Sequence, residues 1–402
     1  TTLAKAAKLV SQTHGVTIDY ETLPLDDHKV FNLLKAGDCA GVFQLESSGM
    51  RELVTRLQPD CFEDIIALIA LYRPGPLQTG MTDSFVHRKH GREPIQYAHP
   101  MEETILKDTY GCMIYQEQIM LLAQTLGGLS LNEADGLRKA MGKKDSARMN
   151  SYEPQFLTGA EANGIPPHTA RNIWVNMSRF AEYGFNKSHS AAYGVITYRT
   201  AYMKAHYPGE YLAALMSSDA GNTDRLLMYF EDASQAGMEI KPPHINASLG
   251  DFTLEEDAVR FGLNAIKGIG KRVVRALLKG RDSAGGSFNN IAVLLNHVDV
   301  HNMNRASFDA LIKSGALDDL HPNRTALLES STRLLRDAVR QQQDHDLGQE
   351  QLFAQQEESG NTPSIAASLD EALPTTVSDI IAMEKEALGF CVTVDALAEW
   401  RP

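Results

Sequence analysis

Apolar residues recur at helical spacing through the first 240 positions, and proline and glycine break the runs. The pattern predicts a mainly α chain. Short helices are expected at Ala4 to Val10 and at Leu25 to Leu34. Asp60 is placed to cap Phe62-Glu-Asp-Ile-Ile-Ala-Leu-Ile-Ala-Leu-Tyr72, which Pro74-Gly-Pro76 stops. That run is apolar nearly all round, so it belongs inside a domain. A basic loop follows at His87-Arg-Lys-His-Gly-Arg92. Tyr115-Gln-Glu-Gln118 leads an amphipathic helix, and Ser130-Leu-Asn-Glu133 is a capping box opening the next. Leu131, Ala134, Leu137 and Met141 share the inner stripe of that next helix. Arg138 then lies on its flank, Lys139 faces outward, and Lys143 and Lys144 stand at its end. The elbow Tyr183-Gly-Phe-Asn-Lys-Ser-His-Ser-Ala-Ala-Tyr193 runs into a helix ending near His206. Ser188 or Ser190 is expected to cap it, leaving free amides beside Asn186, Lys187 and His189: a seat for an anion such as a phosphate.

Past Lys241-Pro-Pro243 the texture changes, and a domain boundary is expected there. A strand-like turn at Phe252 to Phe261 precedes Leu263-Asn-Ala-Ile-Lys-Gly-Ile-Gly-Lys-Arg-Val-Val-Arg-Ala-Leu277. Its Gly268-x-Gly270 pair has the form of a helix-hairpin-helix turn. In such a turn the amides meet a DNA phosphate, while Lys267, Lys271 and Arg272 supply charge around Ile269. Asn304 to Leu317 looks like a second, degenerate hairpin. From about 340 to 379 the chain is polar enough to read as a linker, and Gln349-Glu-Gln-Leu-Phe353 sits inside it. Leu352 and Phe353 beside Gln349 suit an apolar pocket on a partner. Glu384 to Val394 moves from helix-like to strand-like residues.

Composition narrows the function. The 402 residues carry a formal net charge of −13, so any nucleic-acid contact must come from local basic patches. Four scattered cysteines without a Cys-x-x-Cys give neither a disulfide framework nor a zinc cage, and they suit a reducing, cytoplasmic setting. No apolar run has membrane-spanning length, so no membrane partner is expected. The first residue is Thr1, and the pattern is unfinished at both ends, which reads as a piece of something longer. Asp60, Glu63 and Asp64 are ordinary acidic residues of a first helical turn, and no metal ligand or catalytic carboxylate is assigned.

In this order, Val42-Phe-Gln-Leu-Glu46, Leu57 to Asp64, Arg73-Pro-Gly-Pro76, Tyr115 to Gln118, Leu137-Arg-Lys-Ala-Met-Gly-Lys-Lys144 and Gly184 to Tyr193 resemble the C family of bacterial replicative polymerases. The likeness is to the middle of the DNA polymerase III alpha subunit and covers essentially the whole chain. Position 139 departs from it, with lysine where the family usually has a second arginine. The resemblance implies a fingers domain over 1–240 and a tandem helix-hairpin-helix, clamp-binding domain over 241–384. It further implies the start of an oligonucleotide/oligosaccharide-binding (OB) domain over 385–402. Arg138, Lys139, Lys143, Lys144, Asn186, Lys187, Ser188 and His189 would meet a deoxynucleoside triphosphate. Residues Lys267 to Arg272 would meet primer-template DNA, and Gln349, Leu352 and Phe353 a sliding clamp, among other replicase subunits. The implied reaction is nucleotidyl transfer with two magnesium ions, whose aspartate ligands would precede Thr1. The alternative is a non-enzymatic helical adaptor that binds DNA and recruits a clamp.

Overall fold

The computed structural model describes residues 1–143, 145–181, 183–346 and 372–394. The chain divides into two compact units, one of Asp19–His206 and one of Thr1–Ile18 with the residues from Tyr207 onward. The division by packing therefore falls at Tyr207, ahead of the change in texture near 240. Both units are mainly helical. Among the described residues the one sheet has three short strands, with Ala258–Arg260 in the centre. Ile240–Lys241 pairs with it in parallel and Thr253–Glu255 antiparallel, giving the turn pattern expected at 252–261.

In the unit Asp19–His206, the helix Phe62–Leu71 is the greasy centre, as its all-round apolar sequence requires. Ile65, Leu68 and Leu71 are fully buried. The helix Lys187–His206 packs along it, close enough that a side chain on Gly194 would come 3.3 Å from Ile66. Thr197 Oγ1 donates to the Phe43 carbonyl at 3.1 Å, and Tyr198 OH donates to the Pro24 carbonyl at 2.7 Å. These bonds pin the long helix, and with it the elbow at its start. A second core joins the helices Gln116–Thr125, Leu131–Gly142, Glu153–Ala162 and Pro167–Ala181 around Phe156, Trp174 and Met177.

Several local expectations are corrected. Asp60 is not the cap of the helix Phe62–Leu71: Cys61 holds that place without a side-chain bond. The Asp60 N–H instead donates to Asp64 Oδ2 at 3.0 Å, because the Asp64 carboxylate is nearly fully buried and needs donors. His87, Arg88 and Lys89 lie in the last turn of the helix Met81–Lys89 rather than in a loop, and cations complement a helix dipole at that end. Leu131 is 64% exposed although Ala134, Leu137 and Met141 are buried; standing in the first turn, it projects beyond the core. The helix Arg324–Asp346 runs into the expected linker, so residues 340–346 are helical. Gln342 explains part of this, since its amide donates to the Leu295 and Val298 carbonyls at 3.0 and 2.8 Å.

The other unit ends, among described residues, on the helix Val377–Ala387 and a turn to residue 394, with no strand there. That segment packs inward. Fully buried Glu384 accepts the N–H groups of Val392 and Thr393 at 2.7 and 3.1 Å, and faces Arg324 at 3.1 Å. Phe390 stacks edge-on against Phe230.

Candidate functional site

The elbow is built where two helices begin side by side. Tyr115 and Phe185 form an isolated parallel bridge. Phe185 N–H donates to the Ile114 carbonyl at 3.2 Å, and Gln116 N–H to the Phe185 carbonyl at 2.8 Å. The motif at 115–118 and the elbow are thus one backbone patch, from which the helices Gln116–Thr125 and Lys187–His206 depart. Gln118 braces it from below: its Oε1 accepts from the N–H of Ile114 and Tyr115, and its Nε2 donates to Thr109.

Arg73 holds the other side. Its guanidinium lies 4.2 Å above the Phe185 ring and donates to the Tyr183 carbonyl at 2.8 Å. Burial lowers its pKa from the ordinary arginine value. Gly75 is glycine because the Tyr183 ring occupies the place of a side chain, 2.1 Å from where a Cβ would stand. The Arg73-Pro-Gly-Pro76 motif therefore supports the elbow, a role that sequence reasoning did not assign.

The anion seat is not open in the expected way. Asn186, not Ser188 or Ser190, caps the helix, its Oδ1 accepting the His189 N–H at 2.8 Å. The Lys187 N–H is held by Glu117, whose two carboxylate oxygens lie 3.0 and 2.9 Å away. An internal carboxylate thus sits at the positive end of this helix, as the dipole favours. Lys187 Nζ lies 5.4 Å from the Tyr115 ring centroid, and the His189 ring lies tilted with its centroid 4.3 Å from that of Tyr193. Lys187, Ser188 and His189 are exposed.

The second basic stretch is only partly brought to this place. The tip of Met141 reaches the elbow, 3.5 Å from where a side chain on Gly184 would begin. Arg138 and Lys139 both turn to Asp135 on their own helix, at 2.9 and 2.7 Å. Lys139 and Arg138 together hold the Asp135 carboxyl below its ordinary range. Among the described residues, no hydrogen bond, ion pair or ring contact links Arg138, Lys139 or Lys143 to Asn186, Lys187, Ser188 or His189. Lys144 lies outside the described residues, as do Gln349, Leu352 and Phe353. An open groove of about 570 Å³ borders Tyr183 and is lined by Arg179, Asn176 and Met113, giving room for a ligand of nucleotide size beside the elbow.

One cluster has metal-ligand chemistry without fitting a metal. Asp60, Cys61 and Asp64 lie together, but Lys89 Nζ already stands 2.9 Å from Asp60 and 2.7 Å from Asp64. Burial, with the Asp64 charge beside it, pushes the Cys61 thiol up to about 11. An ammonium fills the place of a cation, and a hard magnesium ion is not suited to a protonated thiol.

In the other unit, the Gly268–Gly270 turn leads into the helix Lys271–Ser283. Gly268 has φ +86°, a conformation glycine adopts without strain, and its carbonyl accepts from Ser307 Oγ at 3.3 Å. Gly270 begins the helix Lys271–Ser283, whose first amides have no intrahelical acceptor. Gly268, Gly270, Lys271 and Arg272 are exposed, and Ile269 is buried. The Lys267 N–H is anchored on the Ala387 carbonyl at 2.8 Å. A short 3₁₀ turn, Leu263–Ala265, stands where a full first helix was expected. The stretch Asn304 to Leu317, expected to be a second hairpin, holds one helix, Arg305–Lys313, capped by Asn304; the helix before it, Ile291–His297, lies outside the expected bounds and is joined to it through Val300–Asn302.

Comparison with known proteins finds matches along most of the chain. Residues 1–164 match the bacterial DNA polymerase III alpha subunit finger domain, and residues 237–327 a helix-hairpin-helix motif. The DNA polymerase III subunit alpha of Haemophilus influenzae is 42% identical over 378 residues, 92% of this chain. That of Escherichia coli K12 is 42% identical over 382 residues, 94% of this chain. The chain belongs to the bacterial DNA polymerase III alpha-subunit family. It spans about a third of the length of these relatives, 32% and 33%. The Aquifex aeolicus DNA polymerase III subunit alpha is 45% identical over 82% of this chain and 28% of its own length. An alignment over 94% of the chain takes in the elbow, which lies beyond the finger-domain match at 1–164.

Proposed function

We propose that this stretch of a DNA polymerase III alpha chain supplies the nucleotide-facing and DNA-gripping surfaces of a template-directed DNA polymerase, with residues 1–240 acting as fingers. The observation that carries the reading is the elbow. Two helix N-termini emerge from one backbone bridge, with Lys187 and His189 exposed beside them. Preorganised donors and fixed positive charge stabilise the charge that develops on phosphates during transfer. Asn186 and Ser188 orient the group, Arg138 and Lys139 add charge when Asp135 releases them, and Lys143 and Lys144 complete it. Glu117 is the internal anion that a triphosphate replaces.

Magnesium supplies metal-assisted phosphoryl transfer in such enzymes. Among the described residues, the acidic cluster of Asp60 and Asp64 already holds the Lys89 ammonium. The Gly268–Gly270 turn binds the backbone of primer-template DNA, and Gln349, Leu352 and Phe353 dock on a sliding clamp. Assembly with other replicase subunits and a cytoplasmic setting belong to the same reading. No helix of the described residues is long and apolar enough to cross a membrane.

Lys187→Ala tests the nucleotide role in a polymerase chain carrying this stretch. Losing a charge-assisted contact of about 1.5–3 kcal/mol raises KM for deoxynucleoside triphosphates by roughly ten-fold or more. Primer-template affinity, measured by anisotropy, stays unchanged. Equal loss of both, or of neither, removes the role.

A further inference from the structure

We infer that the groove along the outer side of the helix Lys271–Ser283 is a second phosphate site for duplex DNA, extending the grip of the Gly268–Gly270 turn by more than a helical turn. The inference rests on the DNA-binding reading of that turn and adds residues outside the turn motif itself. An open groove of about 490 Å³ is lined by Arg272, Arg275, Lys279 and His297, with Asp299 and Asn302 on its far wall. The three long cations recur at i, i+3 and i+7, which puts them on one helix face over about 10 Å of axis.

Their charge is not spent internally. Arg272 Nε donates to the Asn302 side-chain oxygen, a neutral partner, and Arg275 Nε to the Lys271 carbonyl at 3.3 Å. Among the described residues, no carboxylate pairs with Arg275 or Lys279. The one carboxylate of the lining, Asp299, is engaged as a cap, accepting the His301 N–H at 3.1 Å and the Asn302 amide. His297 has Nδ1 at 2.9 Å from the Val293 carbonyl, which directs its other nitrogen away from its own helix. In a chain of net charge −13, three cations with a single, already engaged carboxylate form a local positive stripe.

The floor of the groove is low and firm. Ala276 and Gly280 are buried, and a side chain on Gly280 would fall 2.7 Å from Val298 Cγ2 and 2.9 Å from the His297 carbonyl. That place is taken by the His297–Val298 backbone and side chain, so this wall is packed directly on the helix and holds the groove's shape. No Phe, Tyr or Trp lines the groove, so it offers an unpaired base no broad stacking platform. What remains is recognition of backbone charge at a spacing longer than one phosphate, which a duplex presents in fixed register and a flexible single strand does not.

The test is anisotropy of a short fluorescein-labelled duplex, and of one of its strands alone, titrated with the 402-residue chain across a salt series. Each phosphate contact contributes about 0.9 to the slope of log K against log salt, so Arg275→Ala with Lys279→Ala flattens the slope by about 1.8. Between about 50 and 200 mM salt, this variant then loses roughly 12-fold less duplex affinity than the parent chain. Arg275→Lys with Lys279→Arg keeps the parent slope. A double-alanine slope equal to the parent's overturns the groove and leaves the turn in place. An equal change for the single strand overturns the duplex assignment. A parent chain with no salt-dependent duplex binding removes the reading of the turn itself.

Discussion

Several charged groups in this chain are held by partners distant in sequence, and that decides what each can do. Lys187 and His189 were legible as a basic elbow, yet the acid on the Lys187 amide is Glu117, seventy residues earlier. Nothing in the spacing announces that pairing, and the expected open seat follows only if the pairing is ignored. Asp135 shows the nearer case: three and four positions before Arg138 and Lys139, it is the natural i,i+3 and i,i+4 partner of both. The pairing on the small sheet is testable by pH. Arg260 first, then Lys241, hold the Glu255 carboxyl down to about 2, against an ordinary value of 4.5. A depressed carboxyl stabilises the fold fully above the unfolded value and loses that contribution as pH falls from about 4.5 through about 2. NMR titration of the Glu255 side chain is expected to show its midpoint near the lower figure. A midpoint in the usual glutamate range means that the bridge is not held in solution.

At the scale of elements, helix existence was readable from apolar period and caps, while close approach between helices was not. The capping box Ser130–Glu133 forms as its sequence requires, with the Glu133 N–H donating to Ser130 Oγ at 3.3 Å. No pattern of hydrophobicity reveals that Gly159 meets Gly127 across the second core. A Cβ on Gly159 would lie 1.8 Å from the Gly127 carbonyl oxygen, and one on Gly127 would lie 2.3 Å from the Phe156 ring. Backbone cannot yield as a flexible side chain does, so Gly159→Ala must push the helix Glu153–Ala162 outward. Overpacking of this kind costs about 1–3 kcal/mol or more. Gly142, at the end of its helix with nothing within 4 Å, is the control. Its alanine variant is expected to be neutral or slightly stabilising, by less than about 1 kcal/mol. Urea unfolding checks both: the midpoint drops for Gly159→Ala at constant slope and holds for Gly142→Ala. Equal midpoints for the two variants would show that the helices are not in contact at Gly127.

For the whole molecule, the sequence located a change of texture near 240 but not how the chain is shared between the two units. A change of composition marks where one kind of segment stops, whereas a compact unit is defined by which buried faces meet. The helix Thr2–His14 belongs with residues from Tyr207 onward because Ala6 and Val10, both fully buried, pack on the helix Pro208–Ser218. Its end is fastened by Glu210, a nearly fully buried carboxylate that accepts from Thr13 Oγ1 at 2.7 Å and lies 2.8 Å from His14 Nε2. Removing Thr1 to His14 strips that carboxylate of both side-chain partners and exposes the apolar face beneath. The apolar surface that the helix covered then meets water, at a cost of about 25 cal/mol per Å² of apolar area exposed. Hydrogen exchange locates the damage. Protection of the amides of Pro208–Ser218 is expected to collapse in the truncated chain, while that of Phe62–Leu71 in the other unit persists. Equal loss in both helices would mean that the two units unfold as one, and unchanged protection in both would detach the first helix from the unit to which its packing assigns it.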